Sequence, residues 1–316
     1  AGGGENNSAL YDRFRGRVIF PVHTLSGKVV AFGGRILRKA DKLAKYVNSP
    51  ESEIYSKSKE LYGIYFAKAA IVKAKKCFLV EGYTDVLSMH QAGVENVVSS
   101  SGTALTQGQI NMIRRFSENI TVLYDGDKAG IAAALRGIDL LLESGMNVWV
   151  VLLPEGEDPD SFARKQNAEQ FNKYIEQNEQ DFIGFKTKLL LEETGDDPIK
   201  RSGLISNVVE SISFIPDAIK RSVYIKEASN VFGAREEVII DSVNKLRRRR
   251  FDKKKEEQAR SEASGAVQNN QYTGVVQPLQ SPAVRSKVAN PFDFHEKELV
   301  RYIIRYGTLP IFIKFD

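Results

Sequence analysis

Apolar residues along this chain change their period twice. Near the start they form two short runs, Arg17-Val-Ile-Phe-Pro-Val22 and Lys28-Val-Val-Ala-Phe32, separated by Leu25-Ser-Gly27. That spacing predicts a hairpin of paired strands within residues 11–35. A basic, partly irregular segment follows to about Lys59, and helical spacing takes over from Glu60 to Ala74. Short continuous apolar runs then alternate with helical stretches, which predicts strand 76–81, helix 83–92, strand 96–99, helix 106–116, strand 119–124, helix 128–144 and strand 147–153. Strands alternating with helices of this length imply a parallel sheet with helical crossovers. Around residue 159 the strand pattern stops. Leu189-Leu190-Leu191, Leu204 to Ile215, Ala218 to Val231 and Glu236 to Leu246 keep a helical period, as expected of a bundle packed after the sheet.

The predicted architecture is therefore α/β. A small mixed α+β subdomain occupies 1–74, a parallel sheet with flanking helices 75–160, and a helical bundle 161–260. Residues 261–290, rich in Gln, Asn, Ser and Gly and without periodicity, are expected to be a flexible linker. Residues 291–316 resume as an amphipathic segment around Glu296 to Arg305, too short to bury a core alone. They read as the beginning of another domain or a docking segment, in a natural protein longer at both ends.

With 316 residues and 42% hydrophobic content, the chain can bury a sizeable core in two or three units. It contains no run of eighteen apolar residues, and its first residues lack the basic and apolar regions of a signal peptide, so a cytoplasmic protein with no membrane partner is expected. One cysteine, Cys77, rules out an internal disulfide and reads as a small core hydrophobe; His23, His90 and His295 have no zinc spacing. His23 and His90 read as surface or boundary residues, Trp149 as a buried strand residue, and Tyr62 and Tyr65 as packing groups. The net charge of +5 is concentrated: residues 241–260 hold nine Lys or Arg against four Asp or Glu. This run fits either a solvated helix end or a phosphate-facing patch. Smaller basic groups lie at Arg13-Phe-Arg-Gly-Arg17, Arg35 to Lys45 and Lys57 to Lys59.

Three acidic clusters stand where apolar runs end: Glu81-Gly-Tyr-Thr-Asp85, Asp125-Gly-Asp127 and Asp158-Pro-Asp160. In an open α/β sheet, ligands bind outside the carboxyl ends of the strands. Carboxylates gathered there repel unless a cation joins them, and Mg²⁺ prefers such oxygen ligands. Each cluster also has a plainer explanation. A strand-end glutamate can serve as a helix N-terminal charge, Asp-x-Asp can stabilise a turn, and Asp-Pro-Asp can cap a helix with proline in its first turn. Their common location on one predicted edge favours a metal site. A metal site ringed by basic groups suits a polyanionic substrate.

Glu81-Gly-Tyr-Thr-Asp85, Asp125-Gly-Asp-Lys-Ala-Gly130 and Gly156-Glu-Asp-Pro-Asp160 resemble the signature of the TOPRIM domain of topoisomerases, primases and some nucleases. Tyr11-Asp-Arg-Phe-Arg15, Phe32-Gly-Gly-Arg35, Lys45-Tyr-Val-Asn-Ser-Pro-Glu51 and Leu61-Tyr-Gly63 extend the likeness to the polymerase core of DnaG-type bacterial DNA primases, from about Tyr11 to Arg250. The resemblance implies a TOPRIM sheet and an enzyme that makes short RNA primers from ribonucleoside triphosphates on single-stranded DNA, using two or more Mg²⁺ ions or Mn²⁺ in their place. By the same resemblance, Glu81 is a general base or metal ligand and Asp125 and Asp127 are the principal ligands; Asp85, Asp158 and Asp160 complete the cluster. Arg13, Arg35, Lys45 and Tyr83 match positions around the incoming nucleotide, and Arg15, Asn48 and Lys57 match the template path. Replicative helicase and single-strand-binding protein are the implied associates, with the segment from Phe292 as the start of a helicase-binding region. The family's zinc-binding module has no counterpart in these residues, so unaided initiation is expected to be weak. A TOPRIM nuclease, a type IA topoisomerase and a non-catalytic nucleic-acid-binding module are the rival readings; the topoisomerase would need a strand-passage domain for which this chain has no room.

Overall fold

A computed structural model of the chain describes residues 12–37, 44–102, 104–124, 137–194 and 197–268. Residues 1–257 group as one compact unit and 258–316 as another, the described part of the latter being helical over 258–268. Strands β1 (Arg17–His23) and β2 (Val29–Ile36) form the expected antiparallel hairpin, and β3 (Tyr46–Asn48) adds a third strand to β2. The Thr24 N–H donates to the Lys28 carbonyl at 2.9 Å to close the turn, where Gly27 has a left-handed φ of 88°. A β-carbon on Gly27 would also run into the Tyr65 ring, so its lack of a side chain matters twice.

The second sheet carries the core. Its strands β4 (Cys77–Val80), β5 (Val97–Ser99), β6 (Asn119–Tyr124), β7 (Asn147–Leu152) and β8 (Gln180–Asp181) lie in the order β5-β4-β6-β7-β8. All neighbours are parallel except β7 and β8. Helices α1 (Ile64–Ala74), α2 (Tyr83–Gln91), α3 (Gln107–Arg114) and α4, helical over the described residues 137–143, fall between the parallel strands or just before them. After β7 come α5 (Pro159–Lys165) and α6 (Ala168–Asn178), then α7 (Phe182–Thr194), α8 (Pro198–Phe214), α9 (Ala218–Phe232) and α10 (Glu236–Gln268).

Side chains alternate faces along each strand, so the continuous apolar runs supply two cores at once. Cys77, Leu79, Ile120, Val122, Val148 and Val150 pack with residues of α1, α3, α4 and the later helices. On the opposite face Phe78, Val80, Leu123 and Val151 meet Met89 of α2, Phe162 of α5 and Phe171 and Ile175 of α6, together with Phe20 and Val22 of the hairpin. Burial raises the Cys77 thiol well above its ordinary value, in keeping with an inert core residue.

Most described strand and helix limits fall within a few residues of the periodicity; the first part of the expected helix 128–144, up to 136, lies outside the described residues. Differences arise where the signal was short or charged. The two-residue β8 sits inside a stretch read as purely helical, held by its antiparallel pairing with β7 at Trp149 and Val150. Trp149 is half-buried rather than buried, with the Lys76 ammonium 5.8 Å from its ring. Helix α10 continues to Gln268, past the expected linker start at 261, because Glu, Gln, Ala and Arg from 256 onward are strong helix formers. The rest of that linker and residues 291–316 lie outside the described residues.

The basic run of α10 is divided between the two readings. Arg247 donates to the carbonyls of Ser213 and Ile215, each at 3.0 Å, and Arg250 to that of Glu210 at 3.3 Å, while Arg221 reaches Ile215 and Pro216. These guanidinium groups satisfy the carbonyls left over at the end of α8. Arg248 and Arg249 are exposed. Deeper in the bundle, Lys186 donates to Ser211 Oγ at 2.8 Å, and that hydroxyl donates to Asp139 of α4 at 3.0 Å. Burial pushes the Asp139 carboxyl up and the Lys186 ammonium down, and each partly restores the other's charge.

Candidate active site at the edge of the parallel sheet

Parallel pairing aligns the ends of β4, β5, β6 and β7, so the segments leaving Val80, Ser99, Tyr124 and Leu152 emerge on one edge. Glu81 is the first residue past β4. Its side chain is exposed and makes no hydrogen bond or ion pair among the described residues, and its charge together with burial pushes the Tyr124 hydroxyl at the end of β6 well above its usual value. A pocket on this edge is lined by Glu81, Ser100, Gly102, Leu105, Tyr124 and Leu140. Asp125 and Asp127, which directly follow β6 in the sequence, lie outside the described residues. Among the described residues no group of three His, Cys, Asp or Glu side chains could hold a metal ion.

The other expected ligands have different work in this structure. Asp85 is buried and accepts the Gly82 N–H at 2.8 Å in the capping box that starts α2. Asp158 caps α5 by accepting the Ser161 N–H at 2.6 Å, with Pro159 in the first turn. Asp160 is buried, takes the Ser88 hydroxyl at 2.5 Å and pairs with Arg164 at 2.7 Å, which ties α5 to α2. For Asp158 and Asp160 the plainer capping and packing reading is thus the visible one. Asp158→Asn retains a cap and should leave melting and any metal-dependent activity near wild type, whereas Asp158→Ala costs about 1 kcal/mol of stability, measurable by urea unfolding. A large activity loss in Asp158→Asn would restore the carboxylate to the metal site.

The basic residues approach from the hairpin sheet. Arg35 lies in the middle strand between Val18 and Tyr46, and Lys45 is exposed with its ammonium 5.8 Å from the Tyr46 ring. Arg13 and Arg15 are exposed just before β1. Arg17, given no role by the sequence reading, binds the carbonyls of Gly34 and Lys45 at 3.2 and 3.3 Å and so fixes the segment that presents Lys45. Lys57 is half-buried, and its backbone is pinned: its N–H donates to Glu51 and its carbonyl accepts from Gln109.

Tyr83 and Asn48, expected as nucleotide and template contacts, are hydrogen-bonded to each other within the structure. The Tyr83 ring is only 2% exposed, stacked on Phe20 at 5.1 Å and edge-on to Tyr62 at 4.7 Å. Its hydroxyl donates to Asn48 Oδ1 at 2.9 Å, and Asn48 Nδ2 donates to the Ser101 carbonyl at 3.1 Å. Tyr46 meets Thr84 at 3.4 Å in the same seam. These bonds fasten the basic sheet onto the turn that carries Glu81 and onto the loop Ser99–Gly102. That loop was not singled out in the sequence; its Ser101 has a left-handed φ of 59°, uncommon for a residue with a side chain. Gln109 was also passed over, although Thr106-x-x-Gln109 is a readable capping box; its fully buried amide holds the carbonyls of Lys57 and Glu60 at 3.1 and 2.9 Å.

Gly33 makes this seam possible, since a β-carbon there would lie 2.7 Å from the Tyr83 hydroxyl and closer still to the ring. Gly33→Ala is expected to cost about 2 kcal/mol in urea unfolding, as overpacking against a buried ring does.

Two family models match this chain: the N-terminal domain of the DNA primase catalytic core over residues 3–68, and a Toprim-like domain over 78–163. The DNA primase of Clostridium acetobutylicum is 41% identical over 244 residues, which is 76% of this chain and 40% of that protein. Among solved structures, a DNA primase domain from Pseudomonas aeruginosa aligns with a TM-score of 0.68 and 32% identity, covering 78% of this chain and 76% of that one. A DnaG primase catalytic domain bound to single-stranded DNA aligns with a TM-score of 0.62 and 35% identity, covering 70% of this chain and 71% of that one. The chain spans about 40% of the length of the Clostridium acetobutylicum DNA primase.

Proposed function

Because this chain belongs to the DnaG-type bacterial primase family, we propose that it is the RNA polymerase core of a primase, joining ribonucleoside triphosphates into short RNA primers on a single-stranded DNA template. The observation that carries this reading is the seam itself: Tyr46–Thr84, Tyr83–Asn48 and Asn48–Ser101 lock a basic sheet against the strand edge where Glu81 stands. An exposed glutamate one residue past β4, with Asp125-Gly-Asp127 following β6 in the sequence, suits a divalent ion, because hard cations take carboxylate oxygens. When bound there, Mg²⁺ or Mn²⁺ would neutralise triphosphate charge and acidify the primer 3′-hydroxyl; two or more ions fit the number of carboxylates.

In this reading the chain's own residues orient the reactants. Arg13, Arg35 and Lys45 clamp the phosphates, with the guanidinium forks suited to bidentate contact. Glu81 holds the ion or accepts a proton from the 3′-hydroxyl. Arg15 and Lys57 track template phosphates without reading bases. Tyr83 and Asn48 keep these groups in register. In this reading residues 1–74 are the basic subdomain, 75–160 the catalytic sheet, 161–268 the bundle, the stretch from there to 290 the linker and 291–316 the start of a helicase-binding region, with single-strand-binding protein a second associate.

The deciding experiment incubates the protein with single-stranded DNA, labelled ribonucleotides and Mn²⁺ and sizes the products. Short labelled RNA is the expected result. Cut template without RNA would indicate a nuclease, and binding without nucleotide consumption would indicate an accessory module.

A further inference from the structure

Phe66 is a large aromatic side chain left 59% exposed on α1, and its surroundings are unusual for a surface ring. The His23 ring stands edge-on to it at 5.2 Å and stacks on Tyr65 at 6.1 Å, and Tyr65 meets Phe66 edge-on at 5.1 Å. The Lys68 ammonium lies 4.5 Å from the Tyr65 ring and donates to the Leu25 carbonyl at 2.8 Å, so the cluster is braced from below. Phe66 and Lys73 are seven residues apart and share one helix face, with only Ala69 and Ala70 between them on it. Two such small residues leave a flat strip beside the ring.

The two segments that form this strip are basic. Residues 23–29 and 64–76 carry Lys28, Lys68, Lys73, Lys75 and Lys76 and no Asp or Glu, although Lys76 is paired with Glu179 at 2.7 Å. A single strand of nucleic acid presents the matching chemistry, with bases for an exposed ring and phosphates for lysines. The position suits it as well. β1 is an edge strand whose start follows Arg13 and Arg15 and whose end is His23, so a strand of about 20 Å, at about 3.3 Å per residue, runs from beside the arginines to the aromatic cluster.

We propose that Phe66, braced by His23 and Tyr65 and flanked by Lys73, is a base-stacking contact that holds single-stranded nucleic acid beyond the catalytic edge. The proposal rests on the reading of this chain as an enzyme of single-stranded template. It is tested by fluorescence anisotropy with two oligonucleotides of equal length and charge, one of thymidines and one abasic. Wild type should bind the thymidine strand more tightly, by about tenfold if one base stacks. Phe66→Ala should erase that preference and Phe66→Trp should keep it, while Lys73→Ala weakens both strands alike and flattens the salt dependence. A misfolded variant would lose both strands together, so the ratio isolates the stacking.

An unchanged thymidine-to-abasic ratio in Phe66→Ala, with Lys57→Ala still weakening binding, overturns the stacking contact and leaves the primase reading standing. Failure of wild type to bind either strand overturns both. A concentration-dependent dimer in sedimentation that Phe66→Ala abolishes overturns the proposal in favour of a second copy on this face.

Discussion

On the proposed reading, alanine at Asp125 or at Asp127 should lower primer synthesis by about a thousandfold, the scale of losing one preorganised electrostatic contact to a transition state. The argument runs through the register of the sheet. Leu79 pairs with Val122, so two residues further on Glu81 stands level with Tyr124, and Asp125 is the next residue in the chain. On the proposed reading a divalent ion at this edge would be held by carboxylates that follow two neighbouring strands, and the ion would offset part of the triphosphate charge. Urea unfolding of the variants should match wild type if the two carboxylates serve the reaction rather than the fold. Titrating Mn²⁺ checks the cause: Asp125→Asn and Asp127→Asn should need more ion to reach a given rate. Full activity in either alanine variant, with unchanged metal dependence, removes the metal site from this edge.

The second large effect is on stability. Tyr83→Ala costs about 4 kcal/mol, in the range for deleting a buried aromatic ring. It empties the space among Phe20, Tyr46 and Tyr62, where ring contacts at 5.1, 6.1 and 4.7 Å join the hairpin sheet to α2. Tyr83→Phe keeps the ring and removes only the hydrogen bond to Asn48, at about 1 kcal/mol. The burial that raises the Tyr83 hydroxyl above its usual range also keeps it a neutral donor to Asn48 at ordinary pH. Denaturant unfolding of the pair separates the roles. Should Tyr83→Ala remain as stable as wild type and instead raise KM for ribonucleotides, the direct nucleotide contact expected from the sequence would return.

What the sequence made legible was whatever follows from period and composition. Strand β6 starts and ends where its apolar run does, and β4 and β7 lie within a residue or so of theirs, because a strand buried on both faces leaves an unbroken hydrophobic signature. The strand edge followed from that alternation. Side-chain allegiance did not. Whether Asp160 faces an ion or Arg164 and Ser88 is decided by how α5 docks on α2, which no local pattern encodes. Tyr83 likewise turns inward because Gly33 leaves it room from a distant strand. Two-residue β8 was invisible because pairing with β7, rather than propensity, creates it.

The strand order has a consequence for how the protein is made. Val148 and Val150 of β7 share a core with Val208 and Ile212 of α8 and Ile239 and Val243 of α10. Those partners are encoded up to roughly ninety residues later, so at a translation rate of about 5–20 residues per second the oily underside of the growing chain waits several seconds for its cover. Holding factors at the ribosome exit are what such a nascent polypeptide needs, and host strains short of them should return it as inclusion bodies.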